Sequence, residues 1–219
     1  MAAPSMARSS ATLQGRILIV DDKILNIFLL DRILRAAGYV SIDSTTDSSI
    51  VGFTRFSADV SPEKLVVVLN EIFTDVARIA GERGVEKIKT IGDAYMAVAG
   101  IPIAVADHAE RAAHMALEIM GALQAFNQRN RYGLQMRIGI DSGPVVAGVI
   151  GQRKFIYDLW GDTVNTASRM ESHGVAGRIQ ITDYTRQQLR ESFNLEQRGA
   201  IDVKGKGEMH TWFLNGSNG

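Results

Sequence analysis

The segment Glu86-Lys87-Ile88-Lys89-Thr90-Ile91-Gly92-Asp93-Ala94-Tyr95-Met96 constrains this chain most. It reads as two short strands joined by a Gly92-Asp93 turn, because Gly paired with Asp between alternating apolar residues is a hairpin signal. A hairpin brings in an antiparallel pair of strands. It also presents the Asp93 carboxylate at a tip where a cation can meet it, with the Lys89 ammonium four residues earlier on the first strand. That combination suits a site for a metal and a polar ligand, although many surface hairpins carry Lys and Asp.

The remaining composition sets broad limits. The 219 residues suffice for one large domain, or for one domain and a fragment. Formal net charge is zero, from 24 basic and 24 acidic residues, which gives no sign of a nucleic-acid or membrane-surface partner. There is no cysteine, so disulfides and thiolate ligands are excluded and a cytoplasmic location is compatible. No apolar run approaches the roughly 18 residues of a membrane span. Residues 1–15 are rich in Ala, Ser and Met and are expected to be a disordered tail.

Residues 16–42 read as strand, helix, strand: Ile17–Val20, an apolar helical pattern from Ile24 to Leu34 closed by Gly38, then Tyr39–Ile42. With its acidic pair Asp21-Asp22, Asn26 and Gly38-Tyr39, this piece resembles the opening of a response-regulator receiver domain, of which only about a third is present. The polar run Asp43–Ser49 is expected to be a junction, giving a receiver-like fragment and junction over 16–49 and a second domain over 50–219. In that domain Ser61-Pro62 predicts a helix start and Gly81 or Gly84 its stop. Further helices are expected at Asp107–Phe126, Thr163–Ser172 and Asp183–Leu189. Strands are expected at Leu134–Ile140, Val145–Val149, Phe155–Leu159, Arg178–Thr182, Ala200–Val203 and Thr211–Leu214. Irregular alternation with several hairpins predicts an α+β fold with a mixed or antiparallel sheet.

Two later motifs carry chemistry. In Asp158–Met170 a strand bearing Asp158 turns at Gly161-Asp162 into a helix, where Asn165 and Arg169 lie one turn apart on one face. An amide beside a guanidinium suits phosphate recognition. Val203-Lys204-Gly205-Lys206-Gly207 is a basic turn able to close over a polyphosphate, or a solvated surface turn.

Taken together, Ile50–Thr54, Glu86–Met96, Asp158–Met170 and Val203–Gly207 resemble, in order and spacing, the motifs of the class III nucleotidyl cyclase catalytic domain. The resemblance covers about three quarters of the chain. It implies a ferredoxin-like α+β fold acting as a homodimer with composite sites. The implied reaction converts a nucleoside triphosphate to a 3′,5′-cyclic monophosphate and pyrophosphate with Mg²⁺ or Mn²⁺. Position by position, it implies Asp93 as a metal carboxylate, Asn165 as the ribose-orienting residue and Arg169 as the group facing the α-phosphate. Lys204 would contact the outer phosphates, a role Lys206 is close enough to share, and Gly52, Phe53 and Thr54 belong to the phosphate-cradling segment. Lys89 and Asp158 match the base-selecting pair. Adenine offers an acceptor at N1 and a donor at its 6-amino group, which a lysine and an aspartate complement, so ATP is expected over GTP.

One position departs from the pattern. The family's first metal carboxylate directly precedes Ile50, where this chain has Ser49. A serine hydroxyl is a far weaker ligand. Asp47 lies on the same strand face and would replace it only if the strand slipped by two residues. The expectation is therefore an adenylyl cyclase, with a catalytically impaired nucleotide-binding relative as the alternative. A natural fusion, an engineered chimera or a misread gene would each produce this pattern.

Overall fold

The computed structural model describes residues 42–150 and 156–218. The expected tail and the receiver-like strand and helix lie outside them.

The polar run expected as a junction is a central strand. β1 (Ile42–Val51) lies between β3 (Ala94–Ala99) and β4 (Gln135–Pro144), antiparallel to both. The boundary expected at residue 50 thus falls inside this strand. Its composition conceals its position. Thr45, Thr46 and Ser48 are buried, and the Ser48 hydroxyl donates to the Tyr95 carbonyl at 3.3 Å. The Thr45 and Thr46 hydroxyls find no hydrogen-bond partner among the described residues. The backbone ladders on both sides hold the strand in place despite that polarity.

Seven strands form the main sheet. β2 (Val85–Ile91) hairpins with β3, and β7 (Ile179–Thr182), β8 (Phe193–Val203) and β9 (Gly207–Ser217) extend the sheet beyond β4 in the order β2-β3-β1-β4-β7-β9-β8. Only the β4–β7 pair is parallel, which makes the sheet mixed, as expected. β5 (Val146–Ile150) and β6 (Ile156–Trp160) form a separate two-stranded sheet.

Helices cover both faces of the large sheet. After the seven-residue α1 (Phe53–Asp59), α2 (Pro62–Arg83) starts at Ser61, whose hydroxyl accepts the Lys64 N–H at 3.3 Å. It ends at Gly84, which adopts φ 62°. Val68, Ile72, Val76 and Ile79 of α2 pack with Ala112, Met115, Ala116 and Ile119 of α3 (His108–Asn130) against Met136, Ile138 and Ile140 of β4. The opposite face carries α4 (Asp162–Ser172), which sits on β4 and β1. Gly139 makes this contact possible, because a Cβ there would collide with the backbone of Ala167 and Glu171. The short α5 (Asp183–Leu189) follows β7. No helix among the described residues is long and apolar enough to cross a membrane.

Candidate active site

A bulge in β2 aims Lys89. Lys87 pairs with Ala97, but Lys89 pairs with Met96, so Ile88 is the extra residue. Lys87 therefore stays on the face of Tyr95, over whose ring its Nζ lies at 5.2 Å. Lys89 is turned to the other face, with Met96 and the small sheet. There its Nζ meets Asp158 Oδ2 of β6 at 2.6 Å, with the two side chains 31% and 19% exposed. The Leu159 N–H donates to Asp158 Oδ1 at 2.8 Å and fixes the carboxylate plane. Two residues that are 69 positions apart are thus brought together as an adjacent donor and acceptor.

Asp93 follows Gly92, whose φ of 60° suits the tight turn, and its side chain is half-buried at the hairpin tip. The next residue, Ala94, is opposite Ser49 of β1. Pairing along β1 runs without a shift, with Asp47 opposite Met96 and Gly139, and Ser49 opposite Ala94 and Arg137. The two-residue slip that would bring Asp47 to the Ser49 position is not taken.

Ser49 itself has an unexpected partner. Its hydroxyl donates to Glu171 Oε1 of α4, and the same oxygen accepts from Arg137 Nε at 2.9 Å. Glu171 is 8% exposed and Arg137 answers its charge. Sequence reading passed over both residues. The signal for Arg137 was available, since buried Met136 and Ile138 put Arg137 on the opposite face. Nothing local to Glu171 announces its contact with Ser49.

The other expected residues line up on neighbouring elements. Asn165 and Arg169 stand one turn apart on α4, away from its buried Thr166, Ala167 and Met170. Asn165 is exposed and Arg169 half-buried. Lys204 is exposed on the β8–β9 turn, whereas Lys206 is ion-paired with Asp162. Gly52, at φ 72°, links β1 to α1, which opens at Phe53 and Thr54.

The resemblance implies two metal carboxylates, enough for two divalent ions, and the donors around Asp93 bear on that. Among the described residues no group of three or more His, Asp or Glu side chains could hold an ion. Asp93 offers one carboxylate, fit for one divalent ion completed by phosphate oxygens and water. At the second position stands a neutral hydroxyl engaged with an already neutralised carboxylate. The residues present fit one ion and do not fit two.

The profile of the adenylate and guanylate cyclase catalytic domain matches residues 44–216. An adenylate cyclase of Mycobacterium tuberculosis is 42% identical over 169 residues, which are 77% of this chain and 38% of that protein. The chain therefore spans well under half the length of this curated relative. The crystal structure of the guanylate cyclase domain of RhGC from Catenaria anguillulae, in complex with GTP, superimposes with a TM-score of 0.79 at 40% identity, covering 82% of this chain and 98% of that one. The adenylyl cyclase CyaB from P. aeruginosa gives a TM-score of 0.79 at 27% identity, covering 82% and 96%. A mixed sheet flanked by helices, with these motifs on it, defines a nucleotidyl cyclase type of catalytic domain. The chain belongs to the adenylate and guanylate cyclase catalytic domain family. Adenylate and guanylate cyclases are both among its relatives, so kinship alone leaves the base open.

Proposed function

We propose that this domain is an adenylyl cyclase, forming 3′,5′-cyclic AMP and pyrophosphate from ATP. The observation that carries the reading is the Lys89–Asp158 pair at 2.6 Å. An ammonium donor beside a carboxylate acceptor complements N1 and the 6-amino group of adenine. Guanine, with O6 as acceptor and N1–H as donor, would call for a carboxylate where Lys89 stands. A correctly matched bidentate base contact discriminates by about 1–3 kcal/mol.

In this reading Asn165 orients the ribose so that its 3′-oxygen faces the α-phosphorus. The 3′-hydroxyl gives up its proton to water, the bond from that phosphorus to the bridging oxygen breaks as the new ester bond forms, and pyrophosphate leaves. The Arg169 guanidinium faces the charge that grows on the α-phosphate. Lys204 meets the outer phosphates, and the backbone at Gly52, Phe53 and Thr54 faces the same anion. Asp93 would hold a Mg²⁺ or Mn²⁺ ion, which supplies charge neutralisation for the triphosphate when bound. Two copies of the chain would form the working unit, with Asp93 from one facing Lys89, Asp158, Asn165, Arg169 and Lys204 from its partner.

Ser49 favours a second reading: a domain that binds ATP and turns it over poorly. Cyclic nucleotide formation from ATP and from GTP, with either ion, separates the two. Cyclic AMP from the wild-type chain, lost in Asp93→Ala, supports the cyclase. Calorimetric ATP binding without product, with product gained in Ser49→Asp, supports the second reading. Preferential cyclic GMP formation would overturn the adenine assignment.

A further inference from the structure

A cavity of about 730 Å³ opens behind the N-terminal end of α4; Lys89, Asp93, Asp158, Asn165, Arg169 and Lys204 do not line it, and Lys206, which does, is ion-paired with Asp162. Its size lies within the range of small-molecule sites. Apolar and aromatic walls come from Val145, Trp160, Tyr184 and Met209. Trp160 and Tyr184 are 37% and 43% exposed, unusually open for such large side chains.

The charges in this cavity do not balance. Three carboxylates line it: Asp141, Asp162 and Asp183. Asp183 is answered by Arg186 at 2.9 Å and also accepts from Trp212 Nε1 at 3.0 Å. Asp162 is answered by Lys206. Asp141, only 7% exposed, accepts the Thr182 hydroxyl at 2.6 Å and a backbone hydrogen bond at Ser142. It forms no ion pair with any described residue. Lys206 attracts it and Asp162 repels it, so one ammonium serves two carboxylates. Burial accordingly pushes the Asp141 carboxyl up to about 6. A cation placed in the cavity would balance the charge, and indole and phenol rings attract cations as well as apolar groups.

We propose that this cavity is a second binding site, for a small organic amine whose ammonium pairs with Asp141 and whose apolar body lies against Trp160 and Tyr184. The probe is 2-phenylethylamine, with 3-phenylpropionate as a control of similar shape and opposite charge, each titrated into the full chain and followed by nuclear magnetic resonance and calorimetry. Saturable amine binding is expected, at least tenfold tighter than that of the acid. It should weaken at least tenfold in Asp141→Asn and persist in Lys89→Ala. Val146→Trp, which adds bulk to the cavity wall without touching Asp141, should block it in a chain whose melting temperature is retained.

The affinity should rise as pH increases through about 6, because Asp141 ionises while the amine stays protonated. Asp162, Lys206, Asp183 and His210 also line the cavity. The pH dependence should therefore survive His210→Gln and disappear in Asp141→Asn. No saturable binding, equal binding of the acid, or amine binding unchanged in both Asp141→Asn and Val146→Trp would overturn the proposal.

Discussion

Replacing Asp141 by Asn should stabilise the domain, and increasingly so as pH rises. The carboxyl is 7% exposed, and its ionisation moves from an ordinary 3.8 to about 6, chiefly because burial disfavours the charged form. The unfolded chain ionises at the lower value and the folded one at the higher. Wild-type stability is therefore unaffected below 3.8, falls through the interval, and levels off above about 6. Asparagine never ionises, and its carbonyl oxygen can still accept the Thr182 hydroxyl. Each pH unit of displacement is worth about 1.4 kcal/mol, so the advantage of Asp141→Asn grows from about 1 kcal/mol at pH 4.5 to about 3 kcal/mol at pH 8. Urea unfolding followed by circular dichroism across that range reads this as a gap in midpoints that widens to the order of 1 M. Taking the difference between the two chains cancels the titration of every group they share. A gap that stays flat between pH 4.5 and 7, or a variant less stable than wild type at pH 7, would refute the reasoning.

Other expected outcomes follow from single contacts. Thr46→Val keeps the shape of a side chain that is 2% exposed while removing a hydroxyl without a partner, and should raise unfolding stability by about 1–2 kcal/mol in the same urea assay. Gly139→Ala should cost about 1–3 kcal/mol and displace α4, seen as a lowered melting temperature and weaker ATP binding. Lys89→Glu should shift the ratio of ATP to GTP affinity toward GTP by about ten- to a hundredfold, read by calorimetry with both nucleotides. An unchanged ratio there would remove Lys89 from base selection.

Much of the fold was legible because local rules and global packing agree. Ser61-Pro62 and Gly84 delimit α2 by capping chemistry that needs no tertiary partner. The Gly92-Asp93 turn fixes its hairpin because glycine accepts φ 60°. The α4 helix and its Asn165–Arg169 spacing follow from helical periodicity. The long strands β8 and β9 were underestimated, because exposed edge residues such as Glu196, Gln197 and Glu208 carry no apolar alternation. The central place of β1, where a junction is expected from the polar run Asp43–Ser49, is hidden for the opposite reason. Thr and Ser in a central strand give no hydrophobic signal, and its place is set by hydrogen bonding to β3 and β4.

By itself, then, the sequence determined which groups are available: the Lys89 ammonium and the Asp158 carboxylate, the Asn165 amide and the Arg169 guanidinium, one acidic hairpin tip, and a serine where a second carboxylate is expected. Tertiary structure decided how they meet. The β2 bulge turns Lys89 onto the face where β6 brings Asp158 to 2.6 Å. The packing of α4 over Gly139 places Glu171 against Ser49 and Arg137. The fold of β4 against α4 leaves Asp141 buried with no ion pair among the described residues, because Lys206 is paired with Asp162. The physical reason is the same in each case. Caps, turns and periodicity act over a few residues, whereas a pairing between charges depends on which strands and helices share a face, and that is fixed only when the sheet is assembled.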